Sequence, residues 1–315
     1  MQHNFLQFEI WHDCPNKCAF CHNIGSIDIN KNESLEFVLN KLNDKSIFNN
    51  FDELGFIGGE FFDLSVTNDE ILKKFYKLMD IVTELIYNKI IHKFYITSGL
   101  MFFDKTNLID FCNYIKNKNI INNVLLCTSY DTIGRFILDN SEQNWSNNML
   151  YLKDYFPELK RHIEIILTGD FIKKCNNNEF DIINFSNTYN ATIDYISPHI
   201  INRNNSIDNT KISKLSYNKF IPNFFPTRND FINFVKYECI QKKSIPIYKF
   251  LSNNIRADRV YMIHNGSHVM IDNRRNTDGV FAGINKILGI DYIDGYIDSD
   301  IRMENDVENL RDLYE

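Results

Sequence analysis

The chain has no run of about 18 apolar residues of the kind that crosses a membrane as a helix. Its opening, MQHNFLQFEIWHDC, lacks a basic segment followed by a small-residue cleavage site, so no secretory signal peptide is expected. There is no excess of basic residues: 34 Lys and Arg stand against 41 Asp and Glu, for a net charge of −7. That balance argues against a broad nucleic-acid or anionic-membrane surface and leaves room for a local basic pocket. A disulfide framework is also missing, because the seven cysteines are odd in number, three clustered and four scattered. A reducing, cytoplasmic location is therefore expected. The carboxylates Asp291, Asp294, Asp298 and Asp300 have neither the spacing nor the closing glutamate of a calcium loop. What remains is 44% hydrophobic and 24% charged, the balance of a globular protein with a sizeable core. At 315 residues, one large domain with an appendage is the natural division.

The stretch that organises the chain is Cys14-Pro15-Asn16-Lys17-Cys18-Ala19-Phe20-Cys21. Thiolates are soft ligands that select zinc, Cu(I) or iron–sulfur clusters, and a tight loop bends three of them toward one point. Structural zinc sites and ferredoxin clusters use four protein ligands. The next cysteine is Cys112, inside a helical pattern. A three-thiolate site leaves one corner of the metal open, where chemistry can occur. The alternative is a zinc knuckle that borrows His22 as its fourth ligand.

Along the chain, strand and helix signals alternate. Gln7–Asp13 runs into the cysteine loop. Strands are expected at Leu54–Ile57, Phe94–Thr97, Val124–Thr128, His162–Thr168 and Ile193–Ile196. Helices are expected over Ser34–Leu42, from an Asn68 N-cap to about Tyr87, and over Lys105–Asn117, Glu142–Tyr155 and Asp181–Tyr189. Six short apolar strands separated by helices imply an α/β fold with a parallel sheet and crossover helices. Small or polar residues gather just past the strand ends, where such sheets and barrels place their sites. The reading is a partial (β/α)6 barrel over residues 1–200 and a C-terminal α+β extension over residues 201–315. The extension is expected to hold an amphipathic helix at Asn229–Gln241. It also holds a hairpin turning at Asn265-Gly266, a pair suited to a type I′ turn, with His264 opposite Ser267 and His268 opposite Ile263.

Two further constellations lie at expected strand ends. Gly58-Gly59-Glu60 follows the second strand; glycines permit close approach to the backbone, and a carboxylate can meet an ammonium group. By itself, a tight strand-to-helix turn needs nothing more. Ser129, Asp131 and Arg135 follow the fourth strand; a hydroxyl and a carboxylate suit ribose, and a guanidinium suits a carboxylate. The alternative is an Asx-type turn with Arg135 as a surface cation. Ser98 and Thr168 close the third and fifth strands as lesser contacts. Asp272, Arg274, Arg275 and Asp278 form a polar loop after the hairpin, and Cys112, Cys127, Cys175 and Cys239 read as buried thiols.

The Cys-x3-Cys-x2-Cys spacing, with Phe20 just before the last cysteine, resembles the signature of the radical S-adenosylmethionine (SAM) enzymes. The ordered set of three motifs resembles them over about two-thirds of the chain, although Phe61 stands where most members have proline after Gly-Gly-Glu. The resemblance implies a 4Fe–4S cluster held by Cys14, Cys18 and Cys21, with SAM on the fourth iron. It implies that Gly58, Gly59 and Glu60 hold the methionine amino group, Ser129 and Asp131 the ribose, and Arg135 the carboxylate, with Phe20 near the adenine and Ser98 a further contact. The implied activity is reductive cleavage of SAM to a 5′-deoxyadenosyl radical that abstracts hydrogen from a small molecule, nucleotide or peptide. The implied electron donor is a flavodoxin or ferredoxin. No second cysteine cluster points to an auxiliary cluster. Two alternatives stay open: an activating enzyme that places a radical on a partner protein, toward which Cys21-His22-Asn23 points, and a non-catalytic metal-binding module. The extension is expected to cover the barrel opening and contribute to the substrate pocket.

Overall fold

The computed structural model describes residues 5–11, 13–16, 18, 31–196, 233–234, 237, 260–264 and 267–272. In chain order the elements are β1 (Phe5–Glu9), α1 (Lys31–Asn43), β2 (Glu53–Ile57), α2 (Asp69–Tyr87), β3 (Lys93–Thr97), α3 (Thr106–Asn117) and β4 (Val124–Tyr130). They continue with α4 (Ser141–Tyr155), β5 (Lys160–Ile166), α5 (Gly169–Asn176), α6 (Ile182–Tyr189), β6 (Thr192–Ile196), β7 (Val260–His264) and β8 (Ser267–Asp272). Helix α2 starts where its sequence directs: Asn68 Oδ1 accepts from the Ile71 amide at 3.0 Å, and Asp69 and Glu70 place negative charge in the first turn. Its buried stripe of Ile71, Phe75, Leu78, Met79 and Val82 has helical spacing.

Strands β1 to β6 are parallel, and the sheet order is β6-β5-β4-β3-β2-β1-β7-β8. Right-handed crossovers in an order that never reverses put the intervening helices on one face. Side-chain partners identify that face. Phe8, Phe56, Ile96 and Leu126 lie in register across four strands and are fully buried. Farther along the same face, Thr128 Oγ1 accepts from Trp145 Nε1 of α4 at 3.0 Å. In register with Leu126, Arg161 donates to the carbonyls of Leu152, Phe156, Tyr189 and Asn190, tying the ends of α4 and α6 to β5. The opposite face carries Gln7, Tyr95, Thr97, Ser129 and Glu164, all only half-buried. Among the described residues the edges of the sheet are β6 and β8, so the sheet they form is open.

The hairpin has the expected pairing, with His264 opposite Ser267 and Ile263 opposite His268, after a register shift at Met262/Ile263. Strand β7 adds in parallel to the free edge of β1, setting His264 beside Glu9. The Asn265-Gly266 turn, the loop beyond Asp272 and most of the Asn229–Gln241 segment lie outside the described residues. Two differences from the sequence reading have local causes. Strand β4 runs to Tyr130 rather than Thr128, because pairing with β5 continues through Ser129 and Tyr130. Helix α5 was not foreseen: Thr168 does not close β5 but caps α5, its Oγ1 accepting from the Phe171 amide at 3.2 Å. Among the described residues, no helix is long and apolar enough to cross a membrane.

Candidate functional site

The residues singled out at β2, β3 and β4 converge at one end of the sheet. The stem of the cysteine loop leaves β1 and runs beside the end of β2. Ile10 donates to the Ile57 carbonyl at 2.9 Å, Gly59 to that of Trp11 at 2.6 Å and Glu60 to that of Asp13 at 2.9 Å. Here the two glycines are required. Gly58 has φ +141°, a region L side chains rarely adopt, and a Cβ there would overlap the Trp11 carbonyl oxygen. A Cβ on Gly59 would overlap the Asp13 carbonyl oxygen. The backbone that closes on this pair is thus the chain's own, one residue before Cys14. Phe61, where most radical SAM enzymes carry proline, packs its ring 4.9 Å from that of Trp11 and is buried, so an aromatic contact braces this turn. Lys31, at the start of α1, pairs with Asp13 and draws together the two ends of the cysteine segment.

Cys14 is half-buried and Cys18 buried. Cys21 and Phe20 lie outside the described residues, as does His22. Among the described residues no three potential metal ligands converge, the loop contributing only Cys14 and Cys18 to them.

Glu60 is fully buried. Its Oε1 accepts from the Phe61 and Phe62 amides at 2.9 and 3.1 Å and from Ser98 Oγ at 2.7 Å; Oε2 accepts from the Gly99 amide at 2.7 Å. Burial pushes its pKa up, and these donors oppose that shift by favouring the charged form. The carboxylate therefore joins the end of β2 to the end of β3, and Oε2 retains a lone pair for another donor. Asn16 of the cysteine loop also reaches this point, since a Cβ on Gly99 would lie within 2.5 Å of its Nδ2. After Gly99, Leu100 takes a left-handed φ of +56°. Asn148 of α4 holds that turn by donating to the carbonyls of Leu100 and Phe102 at 2.9 and 2.8 Å.

Beyond β4, Asp131 Oδ1 accepts from the amides of Ile133, Gly134 and Arg135 at 2.7, 2.6 and 3.2 Å, an Asx-type turn as the alternative reading held. The other half of that reading fails. Arg135 is not a surface cation; it is 7% exposed, donating to Ser129 Oγ and, at 3.3 Å, to the Gly99 carbonyl. Burial raises the Asp131 pKa, opposed first by the Gly134 amide. Among the described residues, Asp131 Oδ2 and Arg135 Nε are buried without a hydrogen-bond partner. Buried polar atoms in that state carry a cost a ligand can remove.

Gly58, Gly59, Glu60, Ser98, Ser129, Asp131 and Arg135 thus form one connected neighbourhood. Thr168 does not share in it, its hydroxyl being used as a helix cap. Three residues escaped the sequence reading. Asn16 stood inside the cysteine motif, Gly99 followed Ser98, and Asn148 had no signal, being a polar residue in a helix that mixes both kinds.

No known family profile matches this chain, and no curated protein sequence does either. Among solved structures, anSMEcpe with bound AdoMet superposes with a TM-score of 0.50 at 15% identity, covering 80% of this chain and 66% of that one. The same protein with bound AdoMet and a Cp18Cys peptide gives 0.49 at 14% identity, covering 82% of this chain and 62% of that one. SuiB of Streptococcus suis gives 0.41 at 13%, covering 83% and 58%. The chain therefore spans less than two thirds of the length of each. These neighbours are radical SAM enzymes. The first likeness, taken with the open parallel sheet and its helices on one face, gives the conclusion: this chain has the α/β partial-barrel fold of the radical SAM superfamily.

Proposed function

We propose that this chain is a radical SAM enzyme whose substrate is a small molecule, nucleotide or peptide. The observation that carries the reading is the pair of buried, unsatisfied atoms, Asp131 Oδ2 and Arg135 Nε, in a neighbourhood that also holds Glu60, at the sheet end where the cysteine-loop stem docks. A carboxylate oxygen there fits ribose hydroxyls, the guanidinium fits a carboxylate, and the spare lone pair of Glu60 Oε2 fits an ammonium group. Cys14, Cys18 and Cys21 would hold a 4Fe–4S cluster, Gly58, Gly59 and Glu60 the SAM amino group, Ser129 and Asp131 the ribose, and Arg135 the carboxylate. Phe20 would lie near the adenine, and Ser98 would act through Glu60. When bound, such a cluster would supply the electron for reductive cleavage of SAM, the source of the 5′-deoxyadenosyl radical that would abstract hydrogen. The residues of the chain orient SAM and keep water from the site. An external donor such as flavodoxin or ferredoxin would supply the electron, in a reducing cytoplasm. The domain reading goes with this one: a barrel over residues 1–200, with residues 201–315 covering its opening. The addition of β7 to the free edge of β1 supports that arrangement.

The test is SAM affinity by calorimetry on the anaerobically reconstituted protein. Asp131→Ala and Arg135→Ala should each weaken SAM binding by roughly ten- to a hundredfold, the worth of one charge-assisted contact of about 1.5–3 kcal/mol, with iron content unchanged. Unchanged affinity in both variants would contradict the assignment.

A further inference from the structure

Asn16 and Gly99 lie at the centre of the site without an assigned role. A Cβ on Gly99 would stand 2.5 Å from Asn16 Nδ2, 2.9 Å from Glu60 Oε2 and 3.5 Å from Met101 Cε. Gly99 does not share the left-handed φ of Gly58, so residue 99 is glycine for room and not for backbone freedom. Its peptide groups are gripped at both ends. The Gly99 N–H donates to Glu60 Oε2 at 2.7 Å, and its carbonyl accepts from Arg135 Nη2 at 3.3 Å. Glu60 and Arg135, matched above to the amino and carboxylate groups of SAM, are therefore held apart by one residue. In an α-amino acid those two groups are likewise separated by one carbon. The next residue, Leu100, keeps its left-handed φ of +56°, a conformation that persists in a non-glycine residue where the surroundings enforce it. Ser98 Oγ accepts from the Leu100 amide at 3.1 Å while donating to Glu60 Oε1, and Asn148 holds the Leu100 carbonyl. Asn16 is half-buried and reaches Gly99 from the loop between Cys14 and Cys18.

We propose that Gly99 is the spacer that sets Glu60 and Arg135 to the width of an α-amino-acid head group, and that Asn16 keeps it in place. Both are then positioning residues for SAM, acting through Glu60 and Arg135. The inference rests on the radical SAM reading and goes beyond it by tying head-group recognition to a side chain of the cysteine loop. A Cβ at residue 99 would meet only side-chain ends, whereas at residue 59 it would meet backbone. The fold can therefore take Gly99→Ala by moving Asn16 and Glu60, the two groups whose placement is at issue.

The test is a double-mutant cycle on full-length, anaerobically reconstituted protein, read as SAM affinity by calorimetry. Gly99→Ala should weaken SAM binding about tenfold or more, and Asn16→Ala about threefold or more. Combining the two changes gives the new Cβ room, so affinity should recover at least about threefold over Gly99→Ala alone. Affinity for 5′-methylthioadenosine, which lacks the head group, should stay within about twofold throughout. Iron content should stay at the wild-type level in all three variants. Losses that simply multiply in the double variant, equal losses for SAM and 5′-methylthioadenosine, or iron lost from either single variant would overturn the proposal. Failure of the wild-type protein to bind SAM at all would overturn the radical SAM reading and this inference with it, whereas a failed cycle in a protein that binds SAM overturns this inference alone.

Discussion

At the scale of single residues, Glu60 and Asp131 share a logic: each carboxylate is buried, each takes several backbone donors on one oxygen, and each has its pKa raised because burial outweighs those donors. For Glu60 the folded value lies above the ordinary 4.5. Between those two values the folded protein binds more protons than the unfolded chain, so stability falls as pH rises through the window and levels off above the folded pKa. Glu60→Gln removes that titration. The urea midpoint of the wild type should therefore decline relative to Glu60→Gln as pH is raised from about 4.5. The constant offset between the two proteins is not the readout, because the Gln amide meets the Gly99 N–H differently. A difference that stays flat would show that the buried donors balance burial, and one that rises with pH that they outweigh it; either contradicts the raised pKa.

At the scale of elements, the site is made by strand ends and the turns that leave them. Gly59 is the hinge of this arrangement, because the cysteine-loop stem crosses it at backbone contact. Gly59→Ala should push the stem away, costing roughly 1–3 kcal/mol as overpacking does and lowering iron retention, while the circular dichroism of the barrel persists. Normal iron content in that variant would separate the glycine from the cluster. Most of the elements were legible in the sequence. The α2 cap and stripe, the apolar strand cores and the hairpin register are all written in short-range spacing. Helix α5 was not, since eight residues give too little periodicity and Thr168 reads equally as a strand end or a cap. The site was legible as three motifs. What spacing does not carry is tertiary approach: that Asn16 reaches Gly99, that Asn148 braces the Leu100 turn, and that Arg135 turns inward to Ser129.

At the scale of the whole molecule, a six-stranded parallel partial barrel extended by a hairpin on β1 carries one connected polar neighbourhood at the ends of β2, β3 and β4. The central claim is that the loop at the head of β1 holds a cluster with three protein ligands. Of the other cysteines, Cys112 is the least suited to that role. Cys112, Cys127 and Cys175 are buried, and burial pushes the Cys112 thiol up to about 12, far from the thiolate a metal requires. The most direct measurement is iron, sulfide and 5′-deoxyadenosine from anaerobically reconstituted protein given dithionite and SAM. The wild type and the Cys112→Ala variant should hold about four irons and four sulfides per chain, as a 4Fe–4S site does, and release 5′-deoxyadenosine. Cys14→Ala, Cys18→Ala and Cys21→Ala should each lose both. Zinc in place of iron in the wild type, or a full cluster in any one of those three variants, would contradict the account.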